Sequence, residues 1–228
     1  MPNQPHTSAL EKEFELERMI LFSDAVFAIA ITLLIIDIKF PELPEQLAGV
    51  NMLKLFRHTI ASFIAFALSF FFIGRSWSIH LALFRLLRKY DQGLINRNLF
   101  FLFFIVTFPF TASGIAGHLR PGFYFPLYLY MFNLAMVAVT HFILCHYIIR
   151  QKSSLAIEGK EKVKKYFYIR SKYNAIALGS TVIVLVVLGV LIPYQEEFVT
   201  YTCMLTAFIM IFGRRKAKKF KPTEEELG

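Results

Sequence analysis

Six apolar runs divide the sequence, at about 19–38, 59–74, 98–117, 123–149, 173–192 and 198–212. The second continues past Trp77 toward Phe84. A helix needs about 20 apolar residues to cross a bilayer. Most of the runs approach that length, and the sixth is the shortest. They predict an all-α, polytopic membrane protein with six transmembrane helices per subunit. Composition agrees. Of 228 residues, 56% are hydrophobic and only 18% charged, with 26 phenylalanines. One soluble core of this size cannot hide so much apolar surface, whereas lipid is itself an apolar solvent. Pro41, Pro44, Pro121 and Pro193 fall at run ends, where proline stops a helix. Pro109 lies inside the third run and is expected to kink it.

The segment 1–17 is polar and closes on Glu11, Glu13, Glu15 and Glu17. It has neither the basic start nor the small-residue cleavage site of a secretory signal. The first run is therefore expected to be a permanent helix. The domain reading is an N-terminal tail over 1–17, a transmembrane domain over 18–213, and a basic then acidic tail over 214–228.

The net charge of +9 is placed in blocks between the runs. Arg85, Arg88, Lys89 and Arg97, then the cations of 152–172, then those of 214–221, fall on one set of connections. The other set holds Lys39, Lys54, Arg57 and Arg120. The richer set is expected to face the cytoplasm, which puts both termini there. No basic face is interleaved with aromatics, so nucleic acid is excluded as a partner. The polar segment 159–172 reads as a cytoplasmic helical hairpin connection, its bland role, a solvated loop that sets topology, preferred to a lipid-signalling site. Cys145 and Cys203 sit inside apolar runs and read as packing residues, with neither disulfide nor metal implied. G-x-S-x-G, H-E-x-x-H and paired-cysteine motifs are absent, and His141 and His146 are spaced too poorly to share a helix face. An enzyme is not expected.

The first run carries the most information. Asp24 lies inside it, where a carboxylate costs up to about 3 kcal/mol at a helix centre and less near an end. Arg18 is six residues earlier, about 120° round the helix and about 9 Å along it, so the two are not neighbours. Partners are expected on another helix, in the cluster Arg75, Ser76, Trp77, Ser78 and His80. Alternatively Ser23 and Asp24 cap the helix start and Arg18 is an interfacial anchor. The apolar residues 19–22 weigh against that. Phe22, Val26, Ile29, Leu33 and Ile36 fall within about 80° of one another, with Thr32 beside them and Asp24 pointing to the opposite side. On a single helix such a stripe normally packs on a neighbour or meets lipid.

The string Arg18-x-x-x-Phe22-Ser23-Asp24, followed by A-V-F-A-I-A-I-T-L-L-I, resembles the signature of the transmembrane protein 175 family of lysosomal-type potassium channels and their bacterial homologues. Trp77-x-x-His80 on the second helix and the run from Asn98 to Pro109-Phe110 extend the resemblance. It implies a cation channel without a signature-loop filter, its pore lined by the first helix. By motif position it implies that Ile29 and Ile36 are constrictions and Thr32 the threonine layer. Leu33 joins them because it shares their stripe. Potassium is implied as a transient permeant near Thr32, with no cofactor and no tightly bound metal. Arg18, Ser23 and Asp24 are implied to hold the helix in place. With Phe22, Trp77 and His80 they form the expected structural latch. Animal members carry two repeats, and one F-S-D string occurs here, so four copies are expected around one pore. The leading expectation is thus a homotetrameric potassium-selective channel of a prokaryotic plasma membrane. The alternative is a proton-linked secondary transporter using Asp24, Arg18 and His80.

Overall fold

The computed structural model describes residues 4–36, 38–42, 51–118, 123–191 and 197–221. Pro44, Arg120, Pro121 and Pro193 lie outside the described residues, as do the side chains of Lys54 and Cys203. The regular elements among them are helices: α1 (Gln4–Leu33), α2 (Met52–Phe84), α3 (Gln92–Val106), α4 (Phe108–His118), α5 (Phe125–His146), α6 (Glu161–Leu191) and α7 (Glu197–Lys218). Three stretches, Leu55–Phe84, Gln92–Ile115 and Phe125–Gln151, are long and apolar enough by themselves to cross a bilayer.

α1 starts at Gln4, far ahead of the apolar run. The residues 9–18 that precede it are almost all good helix formers, Ala, Leu, Glu, Lys and Arg, so the helix extends through them. α3 and α4 are the two halves of the third run. The break is at Thr107, two residues before Pro109. Proline lacks an amide hydrogen and its ring crowds the carbonyl four residues back, so the disruption appears on its N-terminal side. Side chains on either side of the break are tied to α5. The Thr107 hydroxyl donates to Asn133 Oδ1 at 2.9 Å, and Asn133 Nδ2 donates to Thr111 at 3.3 Å.

The basic segment 159–172 is not a loop. A turn at Gly159, with φ of 85°, leads straight into α6. Val163, Phe167, Ser171, Ala175 and Leu178 recur every three or four residues and are buried. The cations between them break up the apolar pattern, which hides the helix in a linear reading, and one of them, Lys164, is itself buried and paired with Glu161. Just before it, residues 152–157 fold back on the α2–α3 connection through an antiparallel bridge between Leu87 and Ala156. At its end α5 widens into one π turn over Tyr147–Gln151.

α5 packs along α6, and α6 along α7. Thr181 of α6 is hydrogen bonded to Thr206 of α7. Further along, Gly213 lies so close to Tyr173 that a side chain there would collide with the ring. α1 rests on α2 and α3. Phe27, Ala30, Ile73, Phe101, Ile105 and Phe108 form the core beneath it. A second core, around Leu83, Phe84, Leu94, Leu144 and Ile148, joins α2, α3 and α5 at the basic end.

Candidate pore helix and its polar anchor

α1 has two apolar faces with different surroundings. Ser23, Phe27, Ala30 and Leu34 point into the core, with Phe27 at 1% and Ala30 at 0% exposure. The stripe of Phe22, Ile29, Leu33 and Ile36 lies about 110° round the helix. It is uncovered in the single chain, with Ile29 56% and Ile36 64% exposed. Thr32 is exposed beside it, and its hydroxyl donates to the Ile29 carbonyl at 2.9 Å. Helical hydrogen bonding ends at Leu33, and Ile36 sits in the tight turn that follows, its amide donating to the Leu33 carbonyl at 3.2 Å.

The polar groups of α1 meet α2 and α3 in two places. The Trp77 indole donates to Asp24 Oδ1 at 2.7 Å. Ser23, fully buried, donates to the Met19 carbonyl and accepts from Asn98 Nδ2, both at 2.9 Å. The oxygen of that amide then faces His80 Nε2 at 2.9 Å. Because the Asn98 amide nitrogen is the donor to Ser23, its oxygen must accept, so the His80 proton resides on Nε2. The imidazole is stacked on Phe84 at 4.0 Å and Phe101 at 5.3 Å between ring centroids, and is itself buried. Three helices are thereby joined by one relay, His80 to Asn98 to Ser23 to the α1 backbone.

Of the residues expected in the latch, the structure brings Asp24 directly to Trp77, and Ser23 to His80 only through Asn98. Phe22 stands out on the exposed stripe. Arg18 is exposed and makes no hydrogen bond or ion pair among the described residues. Arg75 and Ser76 face elsewhere, and the Ser76 hydroxyl bonds back to the Phe72 carbonyl. Sequence reasoning missed Asn98. Its signal was weak: a lone buried amide just inside an apolar run, next to the hydrophilic Asn96 and Arg97 that mark the run's edge. No group of three or more potential metal ligands occurs among the described residues.

At the start of α3, Asp91 caps the helix, its Oδ1 accepting from the Leu94 amide at 2.8 Å. The Tyr147 hydroxyl donates to its other oxygen at 2.7 Å, and the Arg97 guanidinium lies 3.9 Å over the Tyr147 ring. Burial pushes the Asp91 pKa up, but these donors, with Lys152 and Arg97 nearby, hold the carboxyl below its ordinary range.

Comparison with known proteins places this geometry. The sequence pattern of the family described as endosomal/lysosomal potassium channel TMEM175 matches residues 18–109, which contain both the stripe and the anchor. A potassium channel of Chryseobacterium sp. (strain P1-3) is 30% identical over 156 residues, 67% of this chain and 76% of its own length. A potassium channel of Streptomyces collinus is 33% identical over 126 residues, 54% of this chain and 58% of its own. The fold matches the crystal structure of a lysosomal potassium-selective channel TMEM175 homologue from Chamaesiphon minutus, with a TM-score of 0.63 and 21% identity over 89% of this chain and 98% of that one. These relatives are ion channels, not enzymes. The chain belongs to the TMEM175 family, and its helices build that family's membrane channel fold.

Proposed function

We propose that the chain forms a homotetrameric potassium-selective channel whose pore is lined by α1. The uncovered stripe of Ile29, Leu33 and Ile36 with Thr32 beside it carries this reading. A pore on an axis needs several such helices related by rotation, and each copy of the sequence contributes one Phe22-Ser23-Asp24 string. The relatives named as potassium channels support the permeant ion. Rings of Ile29, Leu33 and Ile36 narrow the path, and an aliphatic constriction gates by dewetting. Thr32 supplies the oxygen. Its proton is committed to the Ile29 carbonyl, so the lone pairs are left to face a cation. Asp24, Ser23, Trp77 and His80 act as the latch that fixes the pore helix, and Arg18 anchors the same end at the membrane surface. On this reading the protein sits in a prokaryotic plasma membrane with both termini cytoplasmic, which the distribution of the basic connections supports.

A proton-linked transporter would pass protons among Asp24, Arg18 and His80. The hydrogen bonding supports the channel instead. Asp24 is engaged by Trp77, His80 by Asn98, and Arg18 meets neither. Purified protein in liposomes decides between them. We expect passive potassium flux at channel rates, driven by the potassium gradient alone. Flux that stops without a proton gradient, at a fixed proton stoichiometry, would establish the transporter.

A further inference from the structure

Away from α1, a cavity of about 180 Å³ opens between α2, α5, α6 and α7. Arg75 of α2, Arg170 of α6 and Arg214 of α7 all line it. An adjoining cleft is lined by the same three arginines with Lys218 and Lys221. No carboxylate lines either space, and none of the three guanidiniums has an ion pair among the described residues. Arg170 donates only to Tyr166 on its own helix, at 2.8 Å. Arg75 and Arg214 are exposed and Arg170 is half-buried, and three like charges converging beside an apolar wall repel one another. They imply a counter-anion.

His141 of α5 lines the cavity and is buried. Its Nδ1 is bonded to the Ser171 hydroxyl at 2.9 Å, and its Nε2 has no partner. That nitrogen is closed off from the cavity, so the imidazole forms part of the wall. Guanidinium forks match the oxygens of a phosphate. The remaining wall, including Phe72, Phe101 and Leu178, is apolar.

We propose that this cavity binds the phosphate group of an acidic phospholipid, held by Arg75, Arg170 and Arg214, with the start of an acyl chain along the apolar wall. The basic blocks at 159–172 and 214–221 then do more than set orientation. Each sends one arginine, Arg170 and Arg214, to a shared site.

The test follows the melting temperature of the full chain in detergent as dioleoylphosphatidylglycerol is titrated in. Dioleoylphosphatidylcholine and inorganic phosphate are titrated in parallel. Phosphatidylglycerol should raise the melting temperature, while phosphatidylcholine and phosphate should not. Arg170→Gln with Arg214→Gln should weaken the apparent lipid affinity by roughly tenfold or more. Arg88→Gln with Lys89→Gln, exposed cations outside the cavity, should leave it unchanged. If the first pair does not fold, Arg214→Gln alone should show a smaller loss in the same direction. Equal losses in both pairs would reduce the effect to general surface charge and overturn the site. A full response to inorganic phosphate alone would overturn the lipid assignment. No response to phosphatidylglycerol would overturn both.

Discussion

Trp77 donates its indole hydrogen to Asp24 across the α1–α2 contact at 2.7 Å, a bond that ties one face of α1 to α2 and so constrains its rotation. A carboxylate in an apolar run is tolerated when it is paired. The indole is the right partner because it has one donor and no acceptor, so it satisfies an anion without competing for a proton. Rotation matters because the stripe and the core face are only about 110° apart. A turned helix would bury Ile29 and expose Phe27.

Asp24→Ala leaves the Trp77 hydrogen unpaired, and Trp77→Phe leaves the carboxylate unpaired. Each should destabilise the assembled protein by about 1–3 kcal/mol. Asp24→Asn keeps an acceptor and should do less. The expected signature is a lower tetramer yield on gel filtration, with near-normal permeation in the channels that survive. Normal assembly with altered ion selectivity would instead put Asp24 in the pore and undo the assignment of the stripe.

Asn98 should be the least replaceable residue of the anchor. Its amide donates to Ser23 and accepts from His80, and all three side chains are buried. Asn98→Leu removes both bonds: it strands the His80 N–H, at about 1–3 kcal/mol, and leaves the Ser23 oxygen, which still donates to Met19, without its donor. Asn98→Asp keeps an acceptor but loses the donor and adds a charge. Both variants should express poorly, and Ser23→Ala with Asn98→Leu should be milder than Asn98→Leu alone, because one stranded group is gone. Additive losses in this double mutant would show that the two residues do not communicate.

The helical membrane fold was legible because span-length apolar runs punctuated by charge have few other solutions. Which face of α1 is buried was not legible from hydrophobicity. Phe27 and Ile29 are equally apolar, and in lipid an outward face gains nothing from being polar. Small and polar residues do not decide it either, since Ser23 and Ala30 are on the packed side while Ala25, Ala28 and Thr32 are exposed. The anchor was half legible. Asp24 and Trp77 are conspicuous as a charge and the chain's one tryptophan, whereas Asn98 is hidden among the polar residues that border its run. The first turns of α6 were hidden for a related reason. Between Val163 and Phe167 stand Lys164 and Lys165, so local composition reads as loop while the four-residue spacing reads as helix.

Ile29→Asn should raise unitary conductance and lower discrimination between potassium and sodium, because a polar ring at a constriction holds water that an aliphatic ring expels. Single-channel recording in bilayers measures both. Unchanged currents from a well-expressed variant would move the constriction elsewhere on the stripe.

Thr32→Val keeps the volume and removes the oxygen. If the hydroxyl replaces part of the ion's hydration shell, the potassium/sodium permeability ratio should fall by roughly two- to tenfold, the equivalent of about 0.5–1.5 kcal/mol. Thr32→Ser should retain most of the ratio. A ratio unaffected by valine would make the residue a packing threonine that bonds only to its own helix.

The last prediction concerns acid. Asp91 caps α3 and accepts from the Tyr147 hydroxyl, and its carboxyl is held below the ordinary value of 3.8. A depressed folded-state value means that the folded protein favours the charged form more than the unfolded chain does. The resulting stability is present in full above the unfolded value near 3.8 and is lost as pH falls through the lower folded value. Asp91→Asn keeps the cap, since asparagine is an equally good N-cap, but it cannot carry the charge. Wild type should therefore melt higher than Asp91→Asn at pH 7, and the gap should close in the acid range below about pH 4. Gly93 makes the geometry specific, because a side chain there would meet the Tyr147 hydroxyl. Gly93→Ala should push the ring off Asp91 and reproduce the Asp91→Asn loss at neutral pH. It should also shrink the pH dependence, because a cap without its tyrosine has less to lose on protonation. A Gly93→Ala protein with the wild-type pH profile would show that Tyr147 contributes nothing to the charge on Asp91.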